Sequence, residues 1–127
     1  MTQYEKTTLK AVEILQKDNT KSYSSAWKEA ASIIIQNINS RNKPCPGCAF
    51  VALCQLGVVK GVSANENFTE YNGVNMNYMR DALDLISKDR TLIKSKSKLW
   101  SKIPNTSDSI ASRLDSLVAL YKNNMLK

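Results

Sequence analysis

The chain has 127 residues, 43% of them hydrophobic and 23% charged, the make-up of one globular domain (1–127) with a single sizeable core. No apolar run approaches the roughly 20 residues that span a bilayer, and the opening MTQYEKTTLK lacks an apolar signal core, so the expected setting is the cytoplasm with no membrane partner. The net charge of +7 is uneven: Lys and Arg outnumber Asp and Glu by nine to eight up to Asp84, and by nine to three from Leu85 on.

In chain order, the first predicted helix covers Gln3 to Lys17. Leu9, Ala11, Val12, Ile14 and Leu15 form its apolar stripe at helical spacing. DNTKSYS interrupts it, and Ser24 is read as the N-cap of a second helix running to Asn39. That helix carries Trp27, Ala30, Ala31, Ile34 and Ile38 on one face; Ile33-Ile34-Ile35 taken alone would suit a strand.

The stretch from Asn42 to Val62, NKPCPGCAFVALCQLGVVKGV, stands apart. It holds all three cysteines, three of four glycines, two of three prolines and no acidic residue. A third helix is expected here, with Cys45 near the N-cap and Pro46 at the first helical position. Ala49, Phe50, Leu53 and Cys54 supply its buried face, and Gly57 stops it. Val58 to Val62 reads as a short extended or turn segment, and Ser63 to Gly73 as loop.

A fourth helix is predicted over Asn75–Lys88, carrying Tyr78, Met79, Ala82, Leu83, Leu85 and Ile86. A short fifth runs over Ser95–Ile103, with Leu99, Trp100 and Ile103 inward and Pro104 as its stop. The last starts near Ser107, with Asp108 in the first turn and Ile110, Leu114, Leu117, Val118 and Tyr121 inward, and frays at Asn123-Asn124. The fold class is all-α, a single-domain irregular bundle of five or six helices.

Catalytic and metal chemistry find little support. Cys45-Pro46-Gly47-Cys48 has the spacing of half a zinc ribbon and of a thiol–disulfide pair. A zinc site needs three or four good ligands, and with no histidine and no second CxxC the ligand count falls short, so no metal or other cofactor is expected. The lack of histidine also removes imidazole bases and most nucleophilic triads. No Walker loop or dinucleotide fingerprint is present. Asp81, Asp84 and Lys88 read as a solvated helix face with ion pairs.

The positive signal is for anions. The start of the third helix, around Cys45, Gly47 and Cys48, offers free N–H groups. Arg41, Lys43 and Lys60 come from the same acid-free window. Lys94, Lys96, Lys98 and Lys102 follow in the basic third, interleaved with Leu99 and Trp100. These ten residues form the expected anion-binding set. Trp100 itself reads as core.

The central stretch resembles a family of small bacterial and phage proteins of unknown function. Its pattern is Cys-Pro-x-x-Ala-Phe-x-x-Leu-Cys followed by Gly-x-Val-Lys-Gly, matched here by Cys45, Pro46, Ala49, Phe50, Leu53, Cys54, Gly57, Val59, Lys60 and Gly61. Cys48 stands at a variable position, and Ala26-Trp27 and Leu99-Trp100 resemble the family's helical landmarks. The resemblance implies a shared fold and, with it, a bacterial or phage-infected host cell, but no activity.

The leading expectation is a non-enzymatic basic protein that engages an anionic partner, a nucleotide-type ligand or nucleic acid. A phage-encoded factor that sequesters a host signalling nucleotide or blocks a defence protein fits the same description. The alternative is a protein–protein or homo-oligomeric module with an exposed apolar patch at Val58, Val59 and Val62. A third reading is a thiol-dependent redox protein using the CxxC.

Overall fold

The computed structural model describes residues 1–64, 73–104, 106, 110 and 112–127. Among these the chain is all-α. Its helices are α1 (Gln3–Lys17), α2 (Tyr23–Ile34), α3 (Ile38–Arg41), α4 (Pro44–Gln55), α5 (Gly73–Lys88), α6 (Lys96–Lys102) and α7 (Asp115–Lys122), with a 3₁₀ helix, Arg90–Lys94, leading into α6.

α4 is the axis of the fold. Ala49, Phe50, Val51, Ala52, Leu53 and Cys54 are all buried, so this part of the helix has no solvent face. It packs on α2, α5 and α7, and α1 lies across α2 and α7. Phe50 meets the Trp27 ring of α2 at a centroid distance of 5.4 Å. Gly47 lies flush on the same indole: a Cβ there would sit 2.8 Å from two ring atoms. Gly57, at φ +74°, ends the helix in the left-handed region as its sequence context predicts.

Several boundaries differ from the sequence expectation, each for a local reason. Ser22, not Ser24, caps α2, its side chain accepting from the Ser25 N–H at 3.1 Å. The predicted second helix divides at Ile35. The β-branched run Ile33–Ile35 weakens it, and Asn37 then accepts hydrogen bonds from the Asn39 and Ser40 N–H groups, starting α3 in a new direction. Ile35 is therefore the buried isoleucine, while Ile38 is 62% exposed. α4 begins two residues early, with Lys43 as N-cap and Pro44, not Pro46, at the first helical position.

α7 begins at Asp115, after Ser112 takes a left-handed φ of 62°. Ser107 and Asp108, and most of the Ser63–Gly73 loop, lie outside the described residues. The expected fray at Asn123-Asn124 is instead a Schellman turn. Asn124 is left-handed at φ 57°, its N–H donates to the Tyr121 carbonyl, and the Met125 N–H donates to Leu120. The turn sends Leu126 back against Val59 in an isolated antiparallel bridge. Val59 and Val62 are buried, so of the apolar patch expected at Val58, Val59 and Val62 only the half-buried Val58 keeps a partly open face.

Gly47→Ala should test the central packing. The methyl has no room against Trp27, and overpacking of this kind costs about 1–3 kcal/mol. The urea midpoint should fall with the slope unchanged, and a midpoint equal to wild type would contradict the close approach.

Candidate functional site

The ten residues of the expected anion set do not form one site. Arg41 and Lys60 are tied to opposite ends of α1. The Tyr4 hydroxyl donates to the carbonyl of Ser40, next to Arg41, and the Gln16 amide donates to the carbonyl of Lys60. Those two α1 positions are roughly 18 Å apart along the helix axis, at 1.5 Å per residue.

Arg41 is also spent on structure. Its Nε and Nη2 donate to the Ile35 carbonyl at 3.0 and 2.8 Å, satisfying the end of α2. The start of α4 is a poor anion cradle for a reason visible in its two prolines. Pro44 and Pro46 have no N–H, and the Lys43 N–H donates to the Ser40 carbonyl at 3.4 Å. Of the four donors that a helix start exposes, only that of Cys45 is left. Gly47 faces Trp27, and Cys48 is half-buried like Cys45. Lys43 is exposed on the N-cap.

Lys96 is drawn inward as well. Its Nζ lies 3.4 Å from Glu5 and 3.0 Å from Asp115, both buried carboxylates. The Thr2 hydroxyl donates to Asp115 at 2.8 Å, and Thr2 and Glu5 cap each other reciprocally at the start of α1. Below them the Thr8 and Ser116 hydroxyls share a bond of 2.7 Å. This junction pins α1, α6 and α7 together. Burial pushes the Glu5 carboxyl up, but the Thr2 N–H and the Lys96 charge outweigh it and hold Glu5 below its ordinary 4.5.

Lys94, Lys98 and Lys102 remain exposed and make no ion pair with the described residues. Lys98 and Lys102 stand one turn apart on α6, on the side away from Lys96. The Thr91 hydroxyl and N–H, joined by the charges of Lys98 and Lys102, hold Asp89 below its ordinary range. Asp89 is thus occupied in capping the 3₁₀ helix. Together with Arg90 these lysines form a basic ridge along the 3₁₀ helix and α6.

The aromatic expected to interleave with them is not available to a ligand. Trp100 is buried and packs edge-on against Tyr78 at 5.0 Å, as its core reading predicts. The buried Arg113 guanidinium lies 5.6 Å from the Tyr78 ring centre and 5.8 Å from that of Trp100, and donates to Asn75 at 3.2 Å. The sequence reading missed both this buried cation and the Glu5–Lys96–Asp115 junction. Thr2-x-x-Glu5 is the signature of a capping box and could have flagged the latter.

A groove of about 610 Å³ adjoins the ridge, with a floor of Val58, Leu83, Ile86 and Leu126 and with Arg90 and Tyr121 at its sides. Among the described residues no Asp or Glu lines it. The C-terminal ends of α5 and α7 open into it through Ser87 and Asn124, however, and their carbonyl dipoles favour a cation such as Arg90 over a bound anion. Among the described residues no group of Cys, Asp and Glu is placed to hold a metal ion, and no helix is long and apolar enough to cross a membrane.

A family model matches the whole of residues 1–127. The chain belongs to DUF6979, a family of unknown function. No curated protein and no solved structure matches it. In this DUF6979 member Arg90, Lys94, Lys98 and Lys102 are exposed cations on two consecutive elements that make no ion pair with the described residues.

Lys96→Met should destabilise the protein by about 1–3 kcal/mol at neutral pH, because it leaves two buried carboxylates without their cation. Wild-type stability supplied by Glu5 is present above its ordinary 4.5 and is lost as pH falls through the lower folded value. The gap between wild type and Lys96→Met should accordingly narrow below pH 4.5, as read by urea midpoints; a gap independent of pH would contradict the junction.

Proposed function

We propose that the protein is a non-enzymatic binding protein whose basic ridge, Arg90, Lys94, Lys98 and Lys102, engages the phosphate backbone of a nucleic acid. The supporting observation is the sorting of the lysines: Lys96 is taken up by buried acids, while its neighbours two residues on either side stand exposed and make no ion pair with the described residues. An extended partner suits an extended ridge better than a small nucleotide does, because neither the groove nor the start of α4 offers a concave anion cradle. With Trp100 in the core, its ring is not a platform on which bases stack beside the lysines. The contact is then made to backbone phosphates, with little base preference and a steep salt dependence. A phage-encoded role against a host defence system is compatible with such a surface, but it is a use of the binding and not a property of the fold.

A second reading has its own observation. Ile33 and Ile38, 58% and 62% exposed, flank the α2–α3 turn and would suit contact with a protein or a second copy. Sedimentation of Ile33→Lys/Ile38→Lys beside wild type tests it: a loss of self-association supports this reading, and a monomer in both removes self-association.

For the ridge, fluorescence anisotropy with single-stranded and duplex oligonucleotides across a salt series is decisive. Reversing Lys98 and Lys102 to Glu should weaken binding by roughly tenfold or more and flatten the salt slope by about one unit per lost phosphate contact. Because both side chains are exposed, the melting temperature should hold. Absence of wild-type binding at low salt, or an unchanged affinity in the variant, would overturn the proposal.

A further inference from the structure

The cysteines of α4 divide into two kinds. Cys54 is fully buried in the core, whereas Cys45 and Cys48 are half-buried, three residues apart in the first turns of the helix. Asn42, Lys43 and Pro44 ahead of them are exposed, and no acidic residue occupies the window from Ser40 to Ala64. We infer that Cys45 and Cys48 are a reversible redox-modification site, closing to an intrahelical disulfide with a low-molecular-weight disulfide of the oxidised-glutathione class as oxidant.

Residues at i and i+3 of an α-helix have Cβ atoms about 5–6 Å apart, and a disulfide needs about 3.5–4.5 Å. The turn must tighten. A change from α to 3₁₀ winding does this, since side chains at i and i+3 then eclipse. The start of α4 is built so that this change strands few groups. Pro44 and Pro46 have no N–H to lose and already hold the φ that both windings use. No side chain caps the turn. The Gly47 and Cys48 amides need only exchange carbonyl partners four residues back for partners three residues back.

Charge complements the chemistry. A glutathione-type disulfide is anionic, the stretch from Ser40 to Ala64 that carries both cysteines has no acidic residue, and Lys43 is exposed just ahead of them. The Cys45 sulfur, nearer the open end, attacks one sulfur of the oxidant, forming a mixed disulfide and releasing one thiol. Cys48 then attacks the Cys45 sulfur and releases the second thiol. Both protein thiols give up a proton and an electron each, and the oxidant is reduced to two thiols. This step is independent of the nucleic-acid reading, and neither stands or falls with the other.

The readout is at hand in Trp27, because Gly47 between the two cysteines rests against its indole. Native protein treated with oxidised glutathione at neutral pH should lose the mass of two hydrogens. Its free thiols should drop from three to one, the survivor being Cys54 by fragmentation of the peptide. Tryptophan emission should shift, and reduced thiol should restore it. Cys48→Ser should instead carry a single stable glutathione adduct at Cys45 and no internal bridge. Wild type that stays reduced, that retains a stable adduct, or that bridges through Cys54 or between two chains would overturn the inference. Emission unchanged on bridging would refute the predicted tightening against Trp27.

Discussion

The rest of the molecule depends on a helix that has no outside. From Ala49 to Cys54 every residue of α4 is buried, so α2, α5 and α7 must each supply an apolar face to it. That requirement explains the composition of the central stretch. Alanines at 49 and 52 let neighbouring helices approach, Phe50 and Leu53 fill the space between them, and Cys54 serves as a small apolar side chain. The glycine against Trp27 is part of the same demand, because a helix enclosed on every side must be thin where it meets an indole.

A second constraint follows from enclosing α4. The helices that wrap it must be joined at their ends, and the chain does this with polar groups. Glu5, Lys96 and Asp115 lock α1, α6 and α7, while Arg41 closes α2 onto α3. Breaking such buried pairs is costly even though their net contribution to stability is small, so they act as position markers for the elements they join. Their functional consequence is subtractive. Part of the positive charge that looks like binding surface in the sequence is consumed in holding the fold, and of the expected anion set Lys94, Lys98 and Lys102 stay exposed along the 3₁₀ helix and α6, with Lys43 and Lys60 exposed elsewhere.

Much of the fold was legible in the sequence where periodicity and stop signals agree. α1 has the predicted limits, α5 and α6 lie within two residues of theirs, and Gly57 ends α4 by the conformation only glycine adopts readily. The reading failed where an apolar pattern continued across a change of direction. Ile34 and Ile38 are four apart and look like one face, yet Asn37 caps a new helix between them. The expected anion set is dispersed in the structure for a related reason. Proximity in sequence put Arg41, Lys60 and the helix start together, but the length of α1 separates two of them, and counting both prolines removes most donors of the third. The division of the lysines around α6 was not legible, because it is set by carboxylates ninety-one residues before Lys96, at Glu5, and nineteen after it, at Asp115.

The central claim is that the cysteine-, proline- and glycine-rich stretch is the buried axis of the protein and that partners meet its outer faces. Native-state hydrogen exchange tests this most directly. The amides from Ala49 to Cys54 should be the slowest in the chain, exchanging with the free energy of global unfolding, while those of α6 open more readily. If the α4 amides instead exchange faster than those of α6, the helix opens locally, the enclosure is wrong, and the rest of the account goes with it.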